Sequence, residues 1–113
     1  MSVKNKVGGK MSNDVNPGLV PGVTELQARS AIADLLNHHS RALDRVDAVG
    51  LKAVYWPSAT VDYGGFKGLA HDFADIVMGA LAGQYELTQH RVSNTVFNFS
   101  SEVACSTESY VFA

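Results

Sequence analysis

The sequence has a single cysteine, Cys105, and little net charge. Each of these features excludes some classes of protein. One cysteine cannot form a disulfide within the chain, which fits a reducing compartment. A net charge of −2 gives no basic surface for nucleic acid or an anionic membrane. No apolar run approaches the roughly 20 residues of a membrane-spanning helix. The lysine-containing N-terminus also lacks the apolar stretch of a secretory signal, so we predict a cytoplasmic protein without nucleic-acid or membrane partners.

Motifs for metals and phosphates are lacking as well. No residues have the ligand spacing of H-x-x-x-H or C-x-x-C. Gly64, Gly65 and Gly68 do not precede a helix in the pattern of a phosphate-binding loop. Cys105 has no activating neighbour. We therefore expect neither a metal nor a cofactor.

The 113 residues fit one domain preceded by an arm. Residues 1–23 are rich in Gly, Asn, Lys and Pro and show no periodicity, which predicts a disordered N-terminal arm. Thr24 is a candidate N-cap for a long helix that extends to about Arg45. Asp47 is expected to cap a second, short helix that Pro57 ends. The apolar stripe of the long helix consists of Ile32, Leu35, Leu36, His39, Leu43 and Val46.

The second half of the chain predicts strands around one more helix. Residues 59–63 form a short strand, and Gly64-Gly65 turns the chain back. Residues 69–83 predict the third helix, and residues 87–99 and 103–113 are strand-length runs flanking a polar turn. Helices grouped early and antiparallel strands grouped late indicate an α+β fold with a sheet curled over the long helix. The third helix is predicted to have one apolar face, which contains Phe73, Ile76, Val77, Ala80 and Leu81.

His90 is the most unusual residue of the first long strand. Because side chains alternate along a strand, it shares one face with Val92, Asn94 and Val96. A polar side chain on a core-facing side must be hydrogen-bonded or functional, since burying it unpaired costs roughly 1–3 kcal/mol. A carboxylate bonded to one ring nitrogen leaves the other nitrogen able to take a proton. A structural His–Asp pair or a satisfied core histidine is the commoner explanation.

Asp44 and Asp47 are the candidate partners of His90. Asp47 already has a capping role, whereas Asp44 has none. Ideal helical spacing turns Asp44 roughly 120° from the centre of the apolar stripe, so it faces the core only where the helix curves or ends. The sequence alone leaves the choice between the two open.

The other candidate residues have a commoner structural explanation. Tyr55, Trp56, Tyr63 and Phe66 either line an apolar pocket or belong to the core, and core is the default. His39 lies in the apolar stripe and is expected in the core. His38 and His71 are expected at the surface.

Several stretches resemble one known family. Residues 31–36, 42–47 and 51–59 look like the opening of SnoaL-like domains, which belong to the nuclear-transport-factor-2-like superfamily. Residues 61–68 are similar to their first hairpin. Residues 88–94 match a T-x-H-x-x-x-N strand, and residues 104–110 match an A-x-x-x-E-S-Y strand. The resemblance covers about residues 24–113.

The resemblance implies a cone-shaped α+β fold in which a curved antiparallel sheet wraps a long N-terminal helix around a deep, mostly apolar pocket. Family members continue for one or two further strands. Because this chain stops at Val111-Phe112-Ala113 inside a strand-like run, we expect the domain at residues 24–113 to be incomplete at its C-terminal end.

The resemblance also implies a function. Members include dehydratases, dehydrochlorinases, ketosteroid isomerases and polyketide cyclases, and Asp44 and His90 match the Asp–His pair of the first two groups. We therefore expect a cofactor-independent lyase or isomerase, a homodimer or homotrimer, acting on a small, apolar, cyclic molecule. The alternative is a non-catalytic ligand-binding or scaffold subunit, like the small subunits of ring-hydroxylating dioxygenases. The expected site consists of catalytic Asp44 and His90 and of substrate-binding Tyr55, Trp56, Tyr63 and Asn94.

Overall fold

The computed structural model describes residues 21–113, and the arm predicted at residues 1–23 lies almost wholly outside them. The α+β class is confirmed. No helix of the described part is long and apolar enough to cross a membrane. The elements in chain order are α1 (Val23–Asp44), α2 (Ala48–Ala53), β1 (Thr60–Asp62), β2 (Lys67–Leu69), α3 (Ala70–Gln84), β3 (Arg91–Ser101) and β4 (Ala104–Phe112).

The described residues divide between two compact units, residues 21–31 in one and residues 32–113 in the other. In the first unit the Leu26 N–H donates to the Gly22 carbonyl at 2.9 Å, which closes the first helical turn. Gly22 therefore occupies the capping position, and the prediction that Thr24 is the cap is wrong. Glu25 and Arg29 form an ion pair one turn apart at 3.6 Å.

The link between α1 and α2 follows the sequence pattern closely. Asp47 is the N-cap of α2, and its side chain accepts the Gly50 N–H at 2.9 Å, which confirms the predicted cap. The helix ends at Ala53, earlier than the expected end at Pro57. After the helix, the backbone N–H groups of Val54 and Tyr55 donate hydrogen bonds to the carbonyls three residues earlier, as in a 3₁₀ turn. Tyr55 and Trp56 therefore lie beyond the helix.

The core packs around Leu51 of α2, which is fully buried. On α3 the fully buried residues are Ala70, Ala74 and Met78, four residues apart in sequence, and none of them belongs to the predicted set. Phe73, Val77 and Leu81 of that set are half-buried. Ile76, which belonged to that set, is 55% exposed. Small alanines allow close packing between α2 and α3, and a Lys52–Asp75 ion pair of 2.9 Å joins the same helices. The core cluster consists of Ala42, Leu43, Leu51, Ala74 and Met78.

The strands form two separate antiparallel pairs, β1 with β2 and β3 with β4. In the first pair the predicted Gly64-Gly65 turn is present, and Gly64 has a φ of 76°. Asp62 stabilises this turn because its carboxylate accepts the Gly64 N–H at 2.9 Å.

The β3–β4 pair contains a β-bulge that the alternation pattern misses. The register shifts between Ser93 and Val96, and Asn94 has a left-handed φ of 55°. Before the bulge Val92 is half-buried, and after it Thr95 is half-buried, so the half-buried side chains move from even to odd positions. Asn94 and Val96 are exposed. The prediction that Asn94 and Val96 share the face of His90 is therefore wrong, because one extra residue reverses the alternation.

Candidate active site

The end of α1 brings Asp44 to His90. The His90 Nδ1 lies 2.6 Å from Asp44 Oδ1, although the residues are 46 positions apart in the sequence. Asp44 is the last residue of α1. The angle of roughly 120° from the apolar stripe, expected for a helix interior, therefore does not keep its side chain from His90. His90 directly precedes β3. Both side chains are mostly buried, with exposed fractions of 17% for His90 and 24% for Asp44.

Further donors fix the Asp44 carboxylate. Each of its oxygens lies 3.0 Å from the backbone nitrogen of His90, whose N–H they share. The Thr88 hydroxyl donates to Oδ1 at 3.2 Å. The carboxylate thus holds both the backbone and the ring of His90, and this restricts the orientation of the imidazole.

The hydrogen bonds set the charge of Asp44 and the tautomer of His90. Burial alone raises the pKa of the Asp44 carboxyl, but bonds from the His90 ring, the His90 backbone and Thr88 outweigh it and lower the pKa. An ionised carboxylate only accepts hydrogen bonds, so the Nδ1 of His90 carries the proton. In neutral His90 the Nε2 therefore has a free lone pair.

His90 lies in the wall of a cavity of about 580 Å³. A volume of this order is typical of small-molecule sites, which are concave and mostly apolar with a few polar groups. The polar residues of the wall besides His90 are His39, Ser40, Tyr55, Tyr63 and Ser109. Apolar wall residues include Leu36, Leu43, Phe73, Val77, Leu81 and Val92.

A second polar pair, His39 and Tyr55, lies in the same wall. The His39 Nε2 is 2.9 Å from the Tyr55 hydroxyl, and the rings meet edge to face. Burial, with a contribution from nearby His90, lowers the pKa of His39. Burial, with a contribution from Tyr63, raises the pKa of the Tyr55 phenol. Both groups are therefore uncharged at neutral pH.

Tyr63 and Phe73 provide a flat aromatic surface in the wall. Their ring centroids are 4.2 Å apart, and the ring planes differ by 6°. Tyr63 follows β1 and Phe73 lies on α3, so the stack joins the first hairpin to the third helix. A flat surface of this kind suits a ligand that itself contains a ring.

Three of the six residues expected in the site line the cavity, and a fourth is bonded to one of those three. His90, Tyr55 and Tyr63 line it, and Asp44 supports His90 from behind. Trp56 is 81% exposed because α2 ends before it, and it does not line the cavity. Asn94 is exposed because the bulge turns it away from the face of Val92.

Three residues have roles near the site that the sequence reasoning missed. His39 was expected in the core, but it lines the cavity together with Leu36 and Leu43 of the same helical stripe. Thr88 precedes His90 by two residues, so alternation in an extended segment could have placed both on one side. His71, expected at the surface, is half-buried and its Nε2 lies 3.0 Å from the Lys52 carbonyl and 3.2 Å from that of Tyr55. Within residues 21–113, no group of three or more His, Cys, Asp or Glu side chains could hold a metal ion.

The lowered pKa of Asp44 predicts an acid-dependent part of the stability. The unfolded carboxyl takes up its proton near pH 3.9, whereas the folded carboxyl does so only at lower pH. The contribution of Asp44 is therefore complete above about pH 4 and is lost as the pH falls through the folded pKa. We expect Asp44→Asn to cost about 1.5–3 kcal/mol at neutral pH, through loss of charge-assisted bonds, and this cost to shrink below about pH 4.

Urea unfolding of both proteins between neutral pH and pH 3 measures this difference. Asp34→Asn is the control, because no hydrogen bond or ion pair of Asp34 is found in the described part of the chain. A cost of Asp44→Asn that stayed constant across this range would contradict the assigned ionisation.

Comparisons with known proteins agree with this architecture. A family model for the SnoaL-like domain matches residues 24–113. A crystal structure of a protein from Novosphingobium aromaticivorans, provisionally named a scytalone dehydratase, is similar with a TM-score of 0.70 and 25% sequence identity. The similarity covers 78% of this chain and 60% of that protein, so the chain spans less than two thirds of its length. No curated protein matches the chain.

Proposed function

The chain belongs to the SnoaL-like domain family of the nuclear-transport-factor-2-like superfamily, and on that premise we propose that it is a dehydratase-like lyase or isomerase. Its substrate is a small, mostly apolar molecule that contains a ring. His90 is the general base, and Asp44 orients His90 and stabilises its charged form. Tyr55 and Tyr63 bind the substrate from the cavity wall.

One observation carries the proposal: His90 is bonded to Asp44 through Nδ1 at 2.6 Å, and the same ring lies in the cavity wall. The fixed tautomer leaves Nε2 free to accept a proton. An imidazolium formed in this way remains next to the Asp44 carboxylate, which stabilises the new positive charge.

Dehydration of a hydroxy-carbonyl compound illustrates the reaction. His90 Nε2 takes a proton from the carbon next to the carbonyl, and the electron pair of that C–H bond passes toward the carbonyl oxygen. Tyr55 or Tyr63 stabilises this oxygen by donating a hydrogen bond. The pair then returns to form a carbon–carbon double bond as the bond to the hydroxyl breaks. The hydroxyl leaves as water with the proton from His90, which returns to its neutral form.

Isomerisation uses the same first step. His90 removes the proton from carbon and returns it to a different carbon of the same molecule. The two reactions differ only in whether the substrate carries a leaving hydroxyl, so the position of the base is the common requirement.

A binding or scaffold module is the alternative, since the same fold hosts many functions. In that case the Asp44–His90 pair would only hold the end of α1 to the start of β3. The accessible wall position of His90 favours the enzyme, because a purely structural pair needs no cavity. The homodimer or homotrimer and the cytoplasmic location stay predictions from the sequence.

The test uses nitrobenzisoxazole, a flat apolar probe that needs only a base. Removal of its ring C–H proton breaks the N–O bond and releases a coloured nitrophenolate, so no natural substrate is required. We expect the protein to open the ring faster than an equal concentration of free imidazole, because the base is held in an apolar site. A rate no greater than that of imidazole would favour the binding module.

A further inference from the structure

Val46 has a backbone conformation that valine rarely adopts. Its φ is 52°, and among the non-glycine residues of the described part of the chain only Asn94 shares a positive φ. A side chain that branches at Cβ crowds the backbone in this left-handed region, so the conformation costs free energy that glycine avoids. Val46 is 41% exposed, so deep burial does not account for a valine here. The strain lies two residues after Asp44.

The hydrogen bonds around Val46 are those of a helix end with a left-handed turn. The Val46 N–H donates to the Leu43 carbonyl at 3.2 Å, and the Asp47 N–H donates to the Ala42 carbonyl at 2.8 Å. This pair of bonds is the Schellman motif, and the residue in the position of Val46 is usually glycine. Ala42 and Leu43 are buried, so the motif anchors the link between α1 and α2 to the core.

The left-handed turn determines where α1 ends. With a right-handed residue at position 46 the helix could continue, and Asp44 would lie in its interior, roughly 120° from the apolar stripe. The turn instead makes Asp44 the last residue of α1 and leaves Asp47 outside the helix, where it caps α2. From the helix end the Asp44 carboxylate reaches the His90 ring at 2.6 Å.

Valine and glycine differ in how firmly they hold such a turn. Glycine adopts the left-handed conformation without strain, but it also has many other accessible φ and ψ values. A residue that branches at Cβ has only a narrow range of angles in this region. Valine therefore lowers the stability of the fold and at the same time restricts the end of α1, a combination that is typical of strained residues at functional sites.

We propose that Val46 is a positioning residue for the candidate active site. Its restricted, left-handed backbone fixes the end of α1, so that the Asp44 carboxylate stays bonded to the His90 ring. Val46 is not a residue of the cavity wall and does not contact a ligand there. The inference rests on the proposed function for the task of the Asp44–His90 pair, but the restriction of Asp44 can be measured without turnover.

A double-mutant cycle between Val46→Gly and Asp44→Ala measures this restriction through the urea midpoint of unfolding. In the Asp44→Ala background the pair is already lost, so Val46→Gly should only relieve strain and raise the midpoint. In the wild-type background the weakened pair opposes this relief, and we expect the rise to be at most about half as large. Asp44→Asn replaces Asp44→Ala if that variant does not fold.

The opening of nitrobenzisoxazole gives the second measurement. A less firmly held imidazole is aligned less often with the C–H bond of the probe, so Val46→Gly should lower kcat by about threefold to tenfold. The KM should stay unchanged, because Val46 does not line the cavity.

Two further variants are the controls. Val46→Ile keeps the branch at Cβ, so it should match the wild-type protein in midpoint, kcat and KM. Val103→Gly adds a glycine at a residue that is 96% exposed between β3 and β4, and it should leave kcat and KM unchanged.

Each outcome bears on a different claim. A midpoint that falls in the Asp44→Ala background would show that residue 46 is not strained, and equal rises in both backgrounds would show that Val46 does not restrict Asp44. Either result overturns the inference, as does a kcat that is unchanged in Val46→Gly or equally low in Val46→Ile. A wild-type protein that does not open nitrobenzisoxazole, with unequal rises in the cycle, would sink the proposed enzyme and leave Val46 in its positioning role.

Discussion

His90→Gln is expected to lower the rate of nitrobenzisoxazole opening by about 10²–10⁴-fold, which is the contribution of a positioned general base. Glutamine keeps a polar side chain of similar length but has no basic nitrogen. Its amide can still donate to Asp44, so the contact between the end of α1 and the start of β3 is preserved. The measurement is the initial rate of nitrophenolate release at saturating protein, accompanied by a circular dichroism spectrum.

The matched control is His38→Gln, which removes a histidine from the same protein without touching the cavity wall. His38 is exposed on α1, next to His39. We expect its rate to equal that of the wild-type protein. If His90→Gln kept most of the activity, or if His38→Gln lost as much, His90 would not be the base.

Leu51→Ala is expected to cost about 2–5 kcal/mol of the free energy of unfolding, the usual range for a buried leucine. Leu51 is fully buried in a core cluster with Ala42, Leu43, Ala74 and Met78. The two alanines are too short to reach into the space that the missing side chain leaves. Part of this space should therefore stay open as a cavity, which adds to the cost of the lost burial.

Urea unfolding gives this cost, and Val49→Ala is the control within the same helix. Val49 is 80% exposed, so its truncation should change stability by no more than about 0.5 kcal/mol. Leu51→Met keeps most of the volume and should cost less than about 1.5 kcal/mol, which provides a folded variant if Leu51→Ala does not fold. Equal costs for Leu51→Ala and Val49→Ala would show that α2 is not part of the core.

The parts of the fold that sequence predicted well depend on local chemistry. Asp47 caps α2 because its short carboxylate reaches a backbone N–H three residues on, and that relation is visible in the sequence. The Gly64 turn follows in the same way from the tolerance of glycine for positive φ. In both cases the causes lie within four residues of the effect.

The parts that failed depend on neighbours distant in the sequence. The β3 bulge at Asn94 is a feature of the pairing with β4. The alternation of apolar and polar residues in β3 does not predict the extra residue. The buried face of α3 is the one that packs into the core cluster with Leu51 of α2, and it contains Ala74 and Met78 but not Ile76. The hydrophobic period and the composition of β3 and α3 do not contain the information about these distant neighbours.

The candidate site lies between these two cases. The resemblance to SnoaL-like domains implied Asp44 rather than Asp47, and the structure places Asp44 in contact with His90. The expected obstacle, the angle of Asp44 on the helix, disappears because α1 ends at that residue. Trp56 was expected at the substrate as one of a group of aromatic residues, and Asn94 because strand alternation placed it on the face of His90. The end of α2 and the bulge put them elsewhere.

The bond from the His90 backbone N–H to Asp44 gives the site a built-in reporter. This amide hydrogen cannot exchange with deuterium from the solvent while both carboxylate oxygens hold it, so exchange requires the segment to detach from the end of α1. The rate at which one backbone hydrogen is replaced therefore measures how often the Asp44–His90 pair comes apart. It can be followed in the resting protein, before any substrate is known.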